Sequence, residues 1–145
     1  MYELTRSDGF GEEVKRRIMI GTYVLSSGYQ DAYYKKAQKV RSLIIKEFQQ
    51  QFQHCNIIAM PVTPTPAFPL GSVPDGLEMY LADIFTIPAN LAGLPAASVP
   101  SGFTHSNKPM GIQFIGAQMH DQEVCQLAYA FSQSSKYYRY IPNQN

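Results

Sequence analysis

The sequence is short of cysteine, of excess charge and of unbroken apolar runs, and each shortage removes a class of explanation. Cys55 and Cys125 are the only two cysteines in 145 residues. They show neither CxxC spacing nor a neighbouring histidine cluster, so neither a disulfide framework nor a zinc site is indicated. The expectation is two buried or idle thiols in a reducing cytoplasm. Twelve Lys and Arg face 11 Asp and Glu, a net charge of +1. That balance makes no electrostatic case for nucleic-acid or acidic-membrane binding by this chain alone. The opening MYELTRSDGFGEE is acidic and polar, unlike a signal peptide or anchor. No apolar stretch reaches the ~20 residues of a membrane span without meeting a proline. A soluble cytoplasmic protein is expected. There is also no G-x-S-x-G, no P-loop, no G-x-G-x-x-G and no H-x-x-x-H, and the histidines His54, His105 and His120 stand apart.

What is present is an alternation of helical and strand periodicities. The composition is 45% apolar, enough for a core in one domain's length of chain. Residues 11–27 predict a helix, with Val14, Ile18 and Leu25 on one stripe, Glu12 and Glu13 in the first turn, and Gly28 as its stop. A longer helix is expected over 30–53, where Ala37, Val40, Ile44, Phe48 and Phe52 recur at spacings of three and four. Its lysines and arginines fall mostly off that stripe, as a solvated face. Asn56–Met60 reads as a short buried strand. Pro61, Pro64, Pro66 and Pro69 then make 61–76 an ordered loop.

The run IFTIPANLAGLPAASVPSGF, 84–103, is almost uncharged yet broken by prolines and glycines. It reads as the end of a helix over 76–90, frayed at Pro88, then a Leu94–Pro95 turn, then a buried strand at 96–99. Strands over 96–103 and 110–116, joined by a polar turn, are expected to form a hairpin. Asp121–Ser134 closes the pattern as a helix with Val124, Leu127, Ala128 and Phe131 on one face. The fold class expected is α/β, with three or four strands and four helices. Several strands look buried on both faces, which suits a larger sheet covered by helices.

Two charged residues stand out. Arg16 and Arg17 are adjacent on the first expected helix and point about 100° apart, so both are not expected to face solvent equally. Asp83 lies in the apolar stretch YLADIF, where a carboxylate needs a partner. For each, a structural pairing and a grip on a charged substrate group are both open.

Four segments carry a resemblance: RSDGFGEEVKRRIMIGTYVLSSGYQDAYYKKAQKVR (6–41), NIIAMPVTPTPAF (56–68), EMYLADIFTIPANLAGLPAASVPSGF (78–103) and PMGIQFIG (109–116). Together they resemble the C-terminal part of the amidase signature family. Within it they are most similar to the A-subunit branch of the tRNA-dependent amidotransferases, to which the 6–41 segment is the more particular. The resemblance implies one amidase signature domain, of which 1–145 would be the C-terminal part. It implies a glutaminase that hydrolyses free glutamine and passes the ammonia to a B subunit. That B subunit, with ATP and Mg, converts Glu-tRNA(Gln) to Gln-tRNA(Gln), and a C subunit clasps the two.

The family's Ser–cis-Ser–Lys centre belongs to a Gly/Ser-rich N-terminal region with no counterpart here, so the resemblance assigns no catalytic residue, no cofactor and no metal to this chain. It places the glutamine-carboxylate arginine at Arg17 and the ammonium-binding aspartate at Asp83. Arg offers a planar fork that matches a carboxylate, and ionised Asp is an acceptor suited to an ammonium. Alone, the chain is expected to be inactive and weakly cooperative or prone to aggregate. Two other readings remain: a truncated general amidase of the same family, and a non-catalytic module docking on a B-like partner.

Overall fold

The structure, a computed structural model, describes residues 2–26, 29–70, 72 and 80–140. The chain divides into two compact units, Met1–Leu43 and Ile44–Asn145. The first unit is helical. Helix α1 spans Tyr2–Gly9, α2 spans Glu12–Leu25, a π-helical turn covers Gln30–Tyr34, and α3 runs over Lys35–Gln51 across the unit boundary. Helix α1 was not expected, because eight mostly polar residues carry no apolar period to read.

Helix α2 answers the expectation for 11–27. It ends at Leu25, where the Ser26 N–H returns to the Tyr23 carbonyl at 3.1 Å. Gly28, expected to stop it, lies outside the described residues. Neither α2 nor α3 carries a buried residue. The expected stripe of Val14, Ile18 and Leu25 is 48–57% exposed. An apolar stripe becomes a core only against a second layer, and among the described residues none encloses these three. The helix expected over 30–53 is real but opens as a π turn, which fits an extra residue into one turn of backbone. A Lys35–Asp31 ion pair of 2.6 Å spans that turn. The Tyr29 ring lies 4.4 Å from Tyr23 and 6.0 Å from Tyr33, and the hydrogen bond with Tyr29 pushes the Tyr23 phenol up.

The second unit is an α/β layer structure. Strand β1 is Ile57–Pro61. Helix α4 is Ile87–Ala92. Strands β2, Ala96–Phe103, and β3, Pro109–Gly116, precede helix α5, Asp121–Ser135. The sheet order is β1-β3-β2 and both pairings are antiparallel. The expected hairpin of 96–103 and 110–116 is therefore present. Asn107, at φ 59°, turns it, and the Thr104 N–H meets the Lys108 carbonyl at 2.8 Å. Ser101 is skipped in the pairing, a bulge between Pro100 and Gly102.

The central strand is buried on both faces and the edge strands are not, which revises the expectation that several strands are enclosed. Ile112 and Phe114 share one face with Ile57, Ala97 and Val99, and this face packs on Val124, Ala128 and Phe131 of α5. Gln113 and Ile115 point the other way, the side on which Gln113 reaches the Phe85 carbonyl just before α4. Ile115 and Val124 are the largest fully buried side chains. Strand β2 alternates half-buried and exposed positions from Ala96 to Ser101, as a one-sided strand does.

The segment before β2 corrects another expectation. Described residues 80–82 are helical, 83–86 form a turn, and a fresh helix begins at Ile87. Residues 76–79 of the expected helix lie outside the description. Pro88 thus opens α4 and does not fray the end of an earlier helix. In a first turn its missing N–H costs nothing, since that donor would have no helical partner. Gly93, at φ 67°, ends α4 in the left-handed conformation, near the place read from sequence.

Gly116 shows how tightly β3 meets α5. A Cβ there would lie 2.6 Å from Val124 Cγ2 and 3.3 Å from the His120 carbonyl oxygen. Gly116→Ala is expected to destabilise the chain by about 1–3 kcal/mol. The check is a lower urea midpoint with an unchanged slope.

Candidate functional site

The two residues nominated by sequence lie in different units. Arg17 sits on α2, one turn after Glu13. Its Nε donates to Glu13 Oε1 at 2.9 Å, while Arg16 Nη1 lies 3.9 Å from Glu13 Oε2. One carboxylate thus engages both guanidinium groups. The expectation of unequal exposure is not met, because the Arg16 and Arg17 side chains are 63% and 58% exposed. Spacings of three and four bring both within reach of Glu13.

Asp83 is at the start of the turn joining residues 80–82 to α4. Its side chain is exposed, so the apolar neighbours in sequence do not enclose it and impose no buried-charge cost. Its main chain is held at both polar groups. The N–H donates to the Tyr80 carbonyl at 3.3 Å. The Asp83 carbonyl accepts from the Thr86 N–H at 3.1 Å, the Ile87 N–H at 3.0 Å and the Thr86 hydroxyl at 3.2 Å. A fixed backbone under an exposed carboxylate is the local arrangement a substrate-gripping acid needs.

Beside this turn is a cavity of about 270 Å³. Thr86, Asn90, Ser98 and Gln113 give it polar groups, and Ala89, Leu94 and the first residues of β2 supply its apolar wall. Thr86 belongs both to the turn and to the cavity wall. The Asn90 amide is turned inward along its own helix, donating to the Thr86 carbonyl at 2.9 Å. A second hollow, about 510 Å³, lies between the proline loop after β1 and the turn end of the β2–β3 hairpin, with Met60, Thr63, Thr65, Ser101 and Met110 among its lining. Lys108 Nζ donates to the Ala67 carbonyl at 2.6 Å and ties that loop to the hairpin turn.

Sequence reasoning missed Gln113. It stands in GIQFIG as the polar member of an alternation and drew no notice there, yet it is 4% exposed. Its amide nitrogen donates to the carbonyls of Phe85, at 2.8 Å, and Pro61, at 3.1 Å. The signal was available in Ile115. Residues two apart share a face, so an isoleucine beside Gln113 on that face marks it as covered. Cys55 and Cys125, expected to be buried or idle, are free and exposed. His120 Nδ1 lies 3.2 Å from Glu123 Oε1 at the start of α5. Among the described residues no cluster of His, Cys, Asp or Glu is arranged to hold a metal, and no helix is long and apolar enough to cross a membrane.

The amidase family model, described simply as Amidase, matches residues 1–125. The chain belongs to the amidase family. Within this enzyme family it is 56% identical over 142 residues to the glutamyl-tRNA(Gln) amidotransferase A subunit of Protochlamydia amoebophila, covering 98% of this chain and 29% of that protein. The protein of the same name from Geobacillus kaustophilus is 55% identical over 143 residues, again 29% of its length. Among solved structures, the glutamyl-tRNA(Gln) amidotransferase A subunit of Thermotoga maritima aligns with a TM-score of 0.71 at 50% identity, over 94% of this chain and 30% of that one. The chain thus spans under a third of the length of these amidase relatives.

The Glu13–Arg17 pair is exposed and one helical turn long, so its worth is in placing the guanidinium and not in stability. Glu13→Gln is expected to change stability by less than about 0.5 kcal/mol. It should nonetheless speed hydrogen exchange at Arg17 Nε, read by NMR. An unchanged Nε exchange rate would show that the ion pair is not held in solution.

Proposed function

We propose that this chain is the C-terminal, substrate-holding portion of the A subunit of a glutamyl-tRNA(Gln) amidotransferase. The supporting observation is 56% identity over 98% of the chain to a protein of that name. In the whole assembly the A subunit hydrolyses glutamine. The ammonia passes to a B subunit, which uses ATP and Mg to turn Glu-tRNA(Gln) into Gln-tRNA(Gln), and a C subunit joins the two. The tRNA is met through the complex, in the compartment of translation. The nucleophile and base, a Ser–cis-Ser–Lys set, come from the N-terminal portion, and no residue of 1–145 takes a catalytic role.

The task left to this portion is selection. Free glutamine carries an α-carboxylate and an α-ammonium at neutral pH, and a neutral acyl amide carries neither. Arg17 takes the carboxylate with its guanidinium fork, and Asp83 takes the ammonium with its carboxylate. Glu13, bonded to Arg17 Nε at 2.9 Å, limits how that guanidinium can turn. The fixed main chain of Asp83 does the same for the acid. These contacts bind the amino-acid end of the substrate and leave the side-chain amide to the N-terminal catalytic set. They lower KM for glutamine and offer nothing to amides without α charges.

The experiment pairs this portion with a catalytic N-terminal portion and compares two substrates. Asp83→Ala and Arg17→Ala are each expected to raise KM for glutamine by roughly tenfold to a hundredfold, the range for a lost hydrogen bond to a charged group. KM for propionamide should stay within about twofold, because that substrate never touches either residue. Equal effects on both substrates would remove the selection role. Chain 1–145 alone should hydrolyse no glutamine, and turnover by it would overturn the assignment of the nucleophile to the other portion.

A further inference from the structure

We propose that Gln113 is a positioning residue for Asp83, fixing the turn that presents the aspartate by holding the Phe85 carbonyl from within the sheet. This rests on the reading above that Asp83 takes the substrate ammonium.

The main-chain hydrogen bonds described within the turn are local. Tyr80 to Asp83, Asp83 to Thr86 and Asp83 to Ile87 set its shape. Bonds within eight residues cannot set where that shape rests on the protein. The Gln113 amide does so across 28 positions of sequence, from the central strand to Phe85, two residues after Asp83. Gln113 is itself well enclosed. It lies in β3, paired on one side with Met60 and on the other with Ser98, and is 4% exposed.

The orientation of the amide is also determined. Its nitrogen faces two carbonyl oxygens, those of Phe85 and Pro61. An NH2 group has two donors to match them, whereas a flipped amide would set its oxygen against both. One side chain therefore joins three things: the central strand, the end of β1 and the Asp83 turn. It also forms part of the wall of the 270 Å³ cavity along with Thr86, the last residue of that turn. Removing the donors takes from the Phe85 and Pro61 carbonyls the hydrogen bonds that Gln113 gives them, which frees the turn to shift toward water. A shift of about 1 Å in a gripping carboxylate is enough to weaken a charged contact severely.

The test is a double-mutant cycle in the protein completed with its catalytic N-terminal portion. Gln113→Met keeps the length and removes both donors. It should raise KM for glutamine roughly tenfold while leaving kcat and KM for propionamide within about twofold. In an Asp83→Ala background the same change should add nothing further, because the residue acts through the aspartate. If the effects multiply, or if both substrates suffer alike, Gln113 is only a structural residue and the proposal fails. If Asp83→Ala alone leaves glutamine KM unchanged, the reading of Asp83 falls, and this proposal with it. Gln113→Asn, which keeps the amide but is one methylene too short to meet both carbonyls, serves if the methionine variant does not fold. It should show the same selective rise, and a KM equal to that of the parent would overturn the proposal.

Discussion

The second unit depends on one strand being enclosed on both faces. Strand β3 pairs with β1 and β2 along its edges, meets α5 through Ile112 and Phe114, and meets the segment before β2 through Gln113. Every other element of the unit touches it or is one connection away. A strand covered on one side only would leave the Asp83 turn without its Gln113 anchor. Ile115 makes the second face apolar, and Gln113 makes it specific. The pairing of an isoleucine with a satisfied amide on one face gives the unit both its adhesion and its register.

That arrangement separates two jobs. The apolar packing around Val124 and Phe114 determines whether the unit folds. The polar contacts at its margins determine where exposed charged groups are held. Asp83 is solvent-exposed but rooted in a hydrogen-bonded turn, and Arg17 is exposed but engaged by Glu13. Both are acids or bases whose charge is kept in water while their position is restrained. A group that must bind an oppositely charged ligand is best kept this way. Burial would penalise its charge before the ligand arrived, and complete freedom would cost rotamer entropy on binding.

Much of this was legible in the sequence, and the failures have identifiable causes. The hairpin was readable because Met110, Ile112 and Phe114 alternate and the polar THSNKP lies between two such runs. Helix α5 was readable because Val124, Leu127, Ala128 and Phe131 recur at spacings of three and four, and its observed span, Asp121–Ser135, differs by one residue from the one expected. Family membership was readable because 6–41 and 78–103 are long and distinctive. Pro88 was misread because a proline near the end of one helical pattern and a proline at the start of another look alike in sequence. The difference lies in the turn at 83–86, whose Asp83–Ile87 main-chain hydrogen bond starts a fresh helix there. The exposure of Asp83 was misjudged for a related reason: apolar neighbours in sequence face several directions once the chain turns at 83–86. Gln113 was missed because a glutamine in a strand pattern does not show by itself which carbonyls its amide will meet. Asp83 and Arg17 drew attention through charge, a property visible one residue at a time, whereas Gln113 shows itself only by what its amide reaches.

The sheet order β1-β3-β2 leaves the outer side of two strands open within the described sheet, and a proline limits each of those edges. Pro61 ends β1 and Pro100 interrupts β2 just before the Ser101 bulge. A proline has no N–H to offer a neighbour, and a bulge breaks the spacing that a neighbour would need. Regular main-chain pairing by a further strand is therefore confined to Ile57–Met60 on one side and Ala96–Val99 on the other. Each is four residues, about 13 Å of extended chain. The sheet can be widened in either direction, but only by short strands, and only at the end nearest α5.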